Sequence, residues 1–227
     1  MTTPKPDVTF SVLDVTPERY AVSPTLEAHI GASSTGDEFI HAIALRCQVR
    51  IQPLRRTYTD EEAVGLLDMF GPRERWSTTQ QAFPWLHATA MVPGFAGATR
   101  ATLPLQCTYD VEVVSAKYFH ALRTGAIPLQ FLFSGTIFGS GAQGLRVRHV
   151  SWDCEDSYDM PVAVWQDLIG QHYPDSGWLR LRHDSIAALS AFKSQHGLLD
   201  IDDAISALLA ATAPKPILSN GSSAERR

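Results

Sequence analysis

Apolar residues recur at every second position through much of the first two-thirds of the chain. In FIHAIALRCQVRIQ, Ile43, Leu45, Cys47, Val49 and Ile51 alternate with Ala44, Arg46, Gln48 and Arg50. Successive side chains of a strand point to opposite faces, so this segment predicts a strand with one buried and one wet side. ATLPLQCTYDVEVV repeats the pattern through Leu103, Leu105, Cys107, Tyr109, Val111 and Val113. Shorter versions run through Val8, Phe10 and Val12, and through Leu26, Ala28 and Ile30. IPLQFLFSGTIF is apolar on both faces and predicts a central strand. Half-wet alternation marks antiparallel sheets, whereas parallel sheets read as continuous apolar runs. The expected fold is α+β but mainly β: an antiparallel β-sandwich with an inserted helix and a C-terminal helical segment.

The period lengthens to a helical one near residues 59–70. Thr59 and Glu62 form a capping-box pattern, and Asp60, Glu61 and Glu62 suit the positive end of a helix dipole. Ala63, Leu66, Leu67 and Phe70 follow at helical spacing, and Gly71-Pro72 ends the element. Pro161 opens a second helix with Val162, Trp165, Leu168 and Ile169 on one face. Asp184 and Asp200 are expected to cap two more. Ile186, Leu189 and Phe192 face inward on one, and Ile201, Ile205, Leu208 and Leu209 on the other. This predicts a sandwich body over residues 1–160, helices packed on it over 161–212, and an aperiodic flexible tail over 213–227.

Gly139, Gly141 and Gly144 have the spacing G-x-G-x-x-G of a dinucleotide-binding loop. That loop must open a helix whose amides hold the pyrophosphate. Here LRVRH follows, with the period of a strand, so the glycines predict a hairpin connection instead.

The formal net charge of -5 leaves no global basic field to recruit nucleic acid. Arg46, Arg50, Arg55 and Arg56, with Arg73 and Arg75, read as a solvated strand face, since no RNA-binding aromatic pattern accompanies them. The N-terminus lacks an apolar signal region, and no run approaches the roughly 18 apolar residues of a membrane span. A soluble, cytoplasmic protein without membrane insertion is expected. Cys47, Cys107 and Cys154 are too scattered for a disulfide framework, a zinc knuckle or a metal cluster, so no cofactor is expected. Eight histidines include no H-x-H and no H-E-x-x-H; His41 and His149 share the parity of apolar neighbours and read as hydrogen-bonded core or edge residues.

Two groups of residues remain as candidates. SWDCEDSYD carries Trp152, Asp153, Glu155 and Tyr158, a polar cluster that reads either as a loop-built site or as a turn feeding the Pro161 helix. Trp76, Phe83, Trp85 and Phe95, with Met91, sit among prolines and glycines. They are either partner-binding aromatics or plugs for the open end of the sandwich. Neither G-x-S-x-G nor a cysteine-protease pattern occurs, which points away from an enzyme.

The stretches ALRCQVRIQPLRR, LLDMFGPRERW, MVPGFAG, CTYDVEVVSAKYFHAL, IPLQFLFSGTIF, FKSQHGL and above all YPDSGWLRL carry a further signal. From about Val8 to Leu209 the chain resembles an uncharacterised bacterial family known only as a domain of unknown function. Its members are encoded in actinobacteria and other soil bacteria beside NiFe-hydrogenase genes. The resemblance implies an accessory role in hydrogenase assembly or maturation, with a hydrogenase subunit or maturation factor as protein partner. The expected function is therefore a non-catalytic, protein-binding accessory factor. The alternatives are a small-ligand- or metal-binding enzyme with a loop-built site, and a chaperone-like sheet that holds unfolded chains.

Overall fold

The structure is a computed structural model that describes residues 8–36, 38–107, 117–141, 144–174 and 181–212. The chain divides into two compact units, Met1–Asp175 and Ser176–Arg227. In the first unit, β1 (Val8–Pro17), β2 (Thr25–Ser34) and β5 (Ala98–Gln106) form an antiparallel sheet in the order β1-β2-β5. The second sheet runs β4 (Phe83–Val92), β3 (Ile40–Ile51), β6 (Ala126–Gly141), β7 (Gly144–His149), and β8 (Glu155–Pro161) also pairs with β6. The two sheets pack face to face, with Phe10 of β1 stacked on Phe133 of β6 at 4.9 Å.

The alternation read from the sequence becomes the core. Ile43, Leu45, Cys47, Val49 and Ile51 are all buried, as are Leu26, Ala28, Ile30, Leu103, Leu105 and Cys107. Tyr109, Val111 and Val113, expected to continue that last strand, and the tail 213–227 lie outside the described residues. Besides a register shift in β4 that leaves Trp85 and Leu86 both buried, two bulges break the alternation read for β1 and β3. One falls between Val12 and Asp14, so that Val15 rather than Asp14 turns inward. The other, between Ile40 and Ala42, leaves His41 exposed against the parity of its neighbours.

The apolar run IPLQFLFSGTIF is the central strand, as expected. β3 pairs along almost the whole of one edge of β6. On the opposite edge, Ala126–Leu132 pairs with β8 and Thr136–Gly141 with β7. The handover is at Gly135, which has φ +149°, and a Cβ there would lie 2.2 Å from the Ala44 carbonyl oxygen. Gly141 and Gly144 close the β6-β7 hairpin, with Gly144 at φ +113°.

The expected turn before Pro161 is instead strand β8, a correction to the sequence reading. Its acids do not serve the following helix α5 (Val162–His172), whose first turn holds none. Asp156 and Tyr158 reach across to β1: Asp156 Oδ2 accepts the Val12 amide at 2.7 Å, and the Tyr158 hydroxyl donates to Asp14 Oδ1 at 2.9 Å. Polar residues at alternate positions thus satisfy an edge between the sheets. α5 buries Val162, Trp165 and Leu168, the face expected of it.

The inserted helix is two short ones, α1 (Asp60–Gly65) and α2 (Leu67–Phe70), joined at Leu66, with α3 (Trp76–Thr79) beyond. Both halves of the Thr59–Glu62 capping box form. The buried Glu62 carboxylate also accepts the Arg123 amide at 2.9 Å and the Arg56 guanidinium at 2.9 and 3.0 Å. Arg56 further donates to the carbonyls of Thr124 and Ala126, so one ion pair fastens the insertion to the start of β6. Burial pushes the Glu62 carboxyl up, but the Arg123 and Thr59 amides and the Arg56 charge outweigh it and hold it below its ordinary range.

In the second unit, α6 (His183–Gln195) follows Arg182, and Asp184 lies in its first turn rather than capping it. Asp200 does cap α7 (Ile201–Thr212), accepting the Asp203 amide at 2.8 Å.

Two substitutions test this framework by urea denaturation. Gly135→Ala is expected to cost at least about 3 kcal/mol, because strain and a backbone clash coincide. Glu62→Gln is expected to cost about 3 kcal/mol by leaving Arg56 without its counter-charge. The Glu62 contribution is complete above the ordinary carboxylate range and is lost as pH falls through its lowered value, so the Gln variant lacks that part of the acid dependence.

Candidate functional site

The four polar residues singled out in the sequence do not form one constellation. Trp152 stands 91% exposed in the turn between β7 and β8, and Asp153 beside it is hydrogen-bonded to Ser151. Glu155 is exposed and accepts from Gln130 Nε2 at 2.9 Å. Tyr158 is half-buried at the β1 edge. Its phenol is pushed up by burial first, then by its hydrogen bond to Asp14 and the charge there.

Asp14 connects Tyr158 to a shallow cleft of about 320 Å³ on the outer face of the three-stranded sheet, lined by Leu13, Asp14, His29, Arg100, Ala101 and Thr102. Cross-strand register sets Asp14 beside His29 and His29 beside Thr102. Gly31 lies opposite Arg100, and a Cβ there would meet Ser11 Oγ at 2.8 Å. Asp14 Oδ1 is engaged by the Val15 amide and Tyr158, and His29 Nε2 lies 3.3 Å from Thr16 Oγ1. Among the described residues Arg100 has no hydrogen-bond or ion-pair partner. The set can hold a small polar ligand, built on strands rather than on loops.

The aromatic residues nominated as an interface go mostly to the interior. Trp85 and Phe95 are buried, while Trp76 and Phe83 are half-buried against the core. Trp85 meets Phe119 at 5.1 Å and Trp165 at 6.4 Å, joining helical residues 117–121 (α4) to α5. Phe83 meets Tyr118 at 5.8 Å, and Trp76 meets Tyr58 at 5.2 Å. The hydroxyls of Tyr58 and Tyr118 lie 2.7 Å apart. Burial pushes both phenols up, Tyr118 to about 12, so the pair stays protonated and serves as structure. Cys47 is likewise raised by burial to about 12, and the buried Cys154 thiol donates to the Val8 carbonyl at 3.3 Å. Among the described residues no three His, Cys, Asp or Glu side chains converge on a metal position, and no helix is long and apolar enough to cross a membrane.

The surface that sequence reasoning missed is the outer face of the five-stranded sheet near the β6-β7 hairpin. Register places Met91, Ala44, Thr136 and His149 in one cross-strand row, and Ala42, Phe138 and Val147 in the next. Leu145 lies opposite Ser140, whose hydroxyl is 2.9 Å from His41 Nε2, and His41 packs edge-on against Phe39. Leu145 is 69% exposed, Met91 65%, Val147 54% and Phe39 47%. The alternation of LRVRH suits a strand with its apolar side inward, but the opposite holds. Arg148 is paired with inward-facing Ile137 and forms an ion pair with Glu38 at 3.2 Å. Phe138 beside Ile137 was the available signal: both faces of β6 are apolar here, so β7 could pack its apolar side on either.

A model of a family of unknown function (DUF6084) matches residues 5–216. None of the curated proteins matches the chain. Among solved structures, a selenomethionine-labelled β-glucosidase from Kluyveromyces marxianus is similar at 8% identity with a TM-score of 0.25, over 68% of this chain and 15% of that one. Nothing about fold or activity follows from a likeness at that level.

The Tyr158–Asp14 link is testable. Tyr158→Phe and Asp14→Ala are each expected to lower stability in urea by about 1 kcal/mol or more, and the double variant by less than the sum, because both remove the same hydrogen bond.

Proposed function

The chain belongs to that family of unknown function, and from its surface we propose that it is a non-catalytic, protein-binding accessory factor. One observation carries the reading: Phe39, Met91, Leu145 and Val147 form an exposed apolar area on one sheet face. Contiguous apolar surface of this kind marks interaction sites, whereas apolar residues exposed singly do not. Trp152, three positions beyond the end of β7, adds an exposed residue of the type that dominates binding energy. The partner implied by the family resemblance is a NiFe-hydrogenase subunit or maturation factor, met in the cytoplasm.

A second reading, binding of a small polar ligand, is favoured by the cleft and by Arg100 within it, which has no side-chain partner among the described residues. The two differ in what Arg100→Ala does: it removes ligand binding under the second and leaves partner capture intact under the first.

Co-purification from a native host at native expression tests the proposal. The wild-type chain is expected to recover a hydrogenase subunit or maturation factor. Met91→Asp and Val147→Asp are each expected to reduce that recovery about tenfold or more, with melting temperature unchanged, since an apolar contact becomes a buried charge. Recovery that ignores both substitutions, or that never contains such a protein, counts against it.

A further inference from the structure

We infer that the free edge of β7 takes an extended segment of the partner as an added strand, and that this segment alternates acidic with apolar residues. This rests on the protein-binding reading above and names the contact it uses. Among the described residues β7 pairs with β6 alone, through a register that sets Gly141 opposite Gly144. With two residues between them, that closing pair is hydrogen-bonded, and bonded and non-bonded pairs alternate from there. Val150, whose amide donates to the Gly135 carbonyl at 3.0 Å, continues the same alternation. The amides and carbonyls of Leu145, Val147 and His149 therefore point away from β6, toward where another strand would lie. An unpaired edge of this kind is a template for strand addition, with main-chain bonds giving affinity and alternate side chains giving specificity.

The two faces of β7 state what such a strand must carry. On the outer face Leu145 and Val147 are exposed and call for apolar neighbours. On the other face are Arg146 and Arg148, and among the described residues Glu38 lies 3.2 Å from Arg148 and 3.9 Å from Arg146. Gly139 makes room for that carboxylate, since a Cβ there would come 3.0 Å from Glu38 Oε1. Glu38 lies closer to Arg148, so the Arg146 side chain, 57% exposed and 3.9 Å from that carboxylate, is the cation open to an incoming acid. A second copy of this chain is the wrong occupant, because antiparallel pairing about Val147 sets Arg146 against Arg148 of the other copy. Like charges directly opposite destabilise a strand pair, and opposite charges stabilise it. Acidic residues on the inward side of the added strand meet this requirement.

The test uses the full chain with two fluorescein-labelled synthetic peptides, one alternating Glu and Val, the other Lys and Val. The Glu peptide is expected to bind roughly tenfold more tightly by anisotropy, and to slow hydrogen exchange at the amides of Leu145, Val147 and His149. Arg146→Glu should reduce or reverse the preference. Val147→Pro should abolish binding with little loss of stability, because it removes an outward amide and no bond to β6. Equal affinity for the two peptides, no binding of either, or binding that leaves those three amides unprotected overturns the inference. If Val147→Pro loses the peptide but still captures the natural partner, the edge is not the partner's site while the broader reading stands. If the peptide result holds and no hydrogenase component is ever recovered, the identity of the partner fails and the strand-accepting edge stands.

Discussion

The first unit depends on one strand sharing a single edge between two partners. β6 is bonded along one side to β3, and on the other first to β8 and then to β7. That arrangement requires a residue without a side chain at Gly135, where the backbone of β3 approaches too closely for any Cβ. The chain must then leave the sheet after β7 and return to the same edge at β8. The Val150 amide bonds back to Gly135, and the Phe133 amide reaches the Cys154 carbonyl, so the excursion is pinned at both ends. Trp152 projects from it because the residues between those pins have no strand to lie against. Strain at one glycine and exposure at one tryptophan are two results of the same geometry.

Several polar groups inside this unit hold segments together. Arg56 and Glu62 join the insertion to β6, and Asp14 and Asp156 join β1 to β8. The phenols of Tyr58 and Tyr118 satisfy one another among packed rings. What is left for function lies outside, on a small polar cleft over one sheet and an apolar face over the other. The second is larger in its apolar content and continues to an open strand edge, so it carries the proposed role.

Much of the body was legible from the sequence because antiparallel strands with one wet face leave a period of two. The buried set of β3 and the capping box of α1 follow from local rules, and the glycine spacing was settled by the strand period of LRVRH behind it. Bulges were not legible. One extra residue at Leu13 or at His41 inverts parity downstream, and neither position carries a glycine or proline to announce it. Asp156 and Tyr158 of β8 read as part of a turn because their partners, Val12 and Asp14, each lie 144 residues away in the chain. The aromatic residues of the insertion offered two readings, and packing against α4 and α5 accounts for most of them.

The long reach of β6 also orders events as the chain leaves the ribosome. β1, β2 and β5 can pair once residue Gln106 has emerged, but β3 has only β4 beside it until β6 follows. Throughout that interval the longer, apolar edge of β3 stands open in the nascent chain. The completed protein shows a different edge, the short β7 with its two arginines, so maturation replaces an indiscriminate adhesive margin with a selective one.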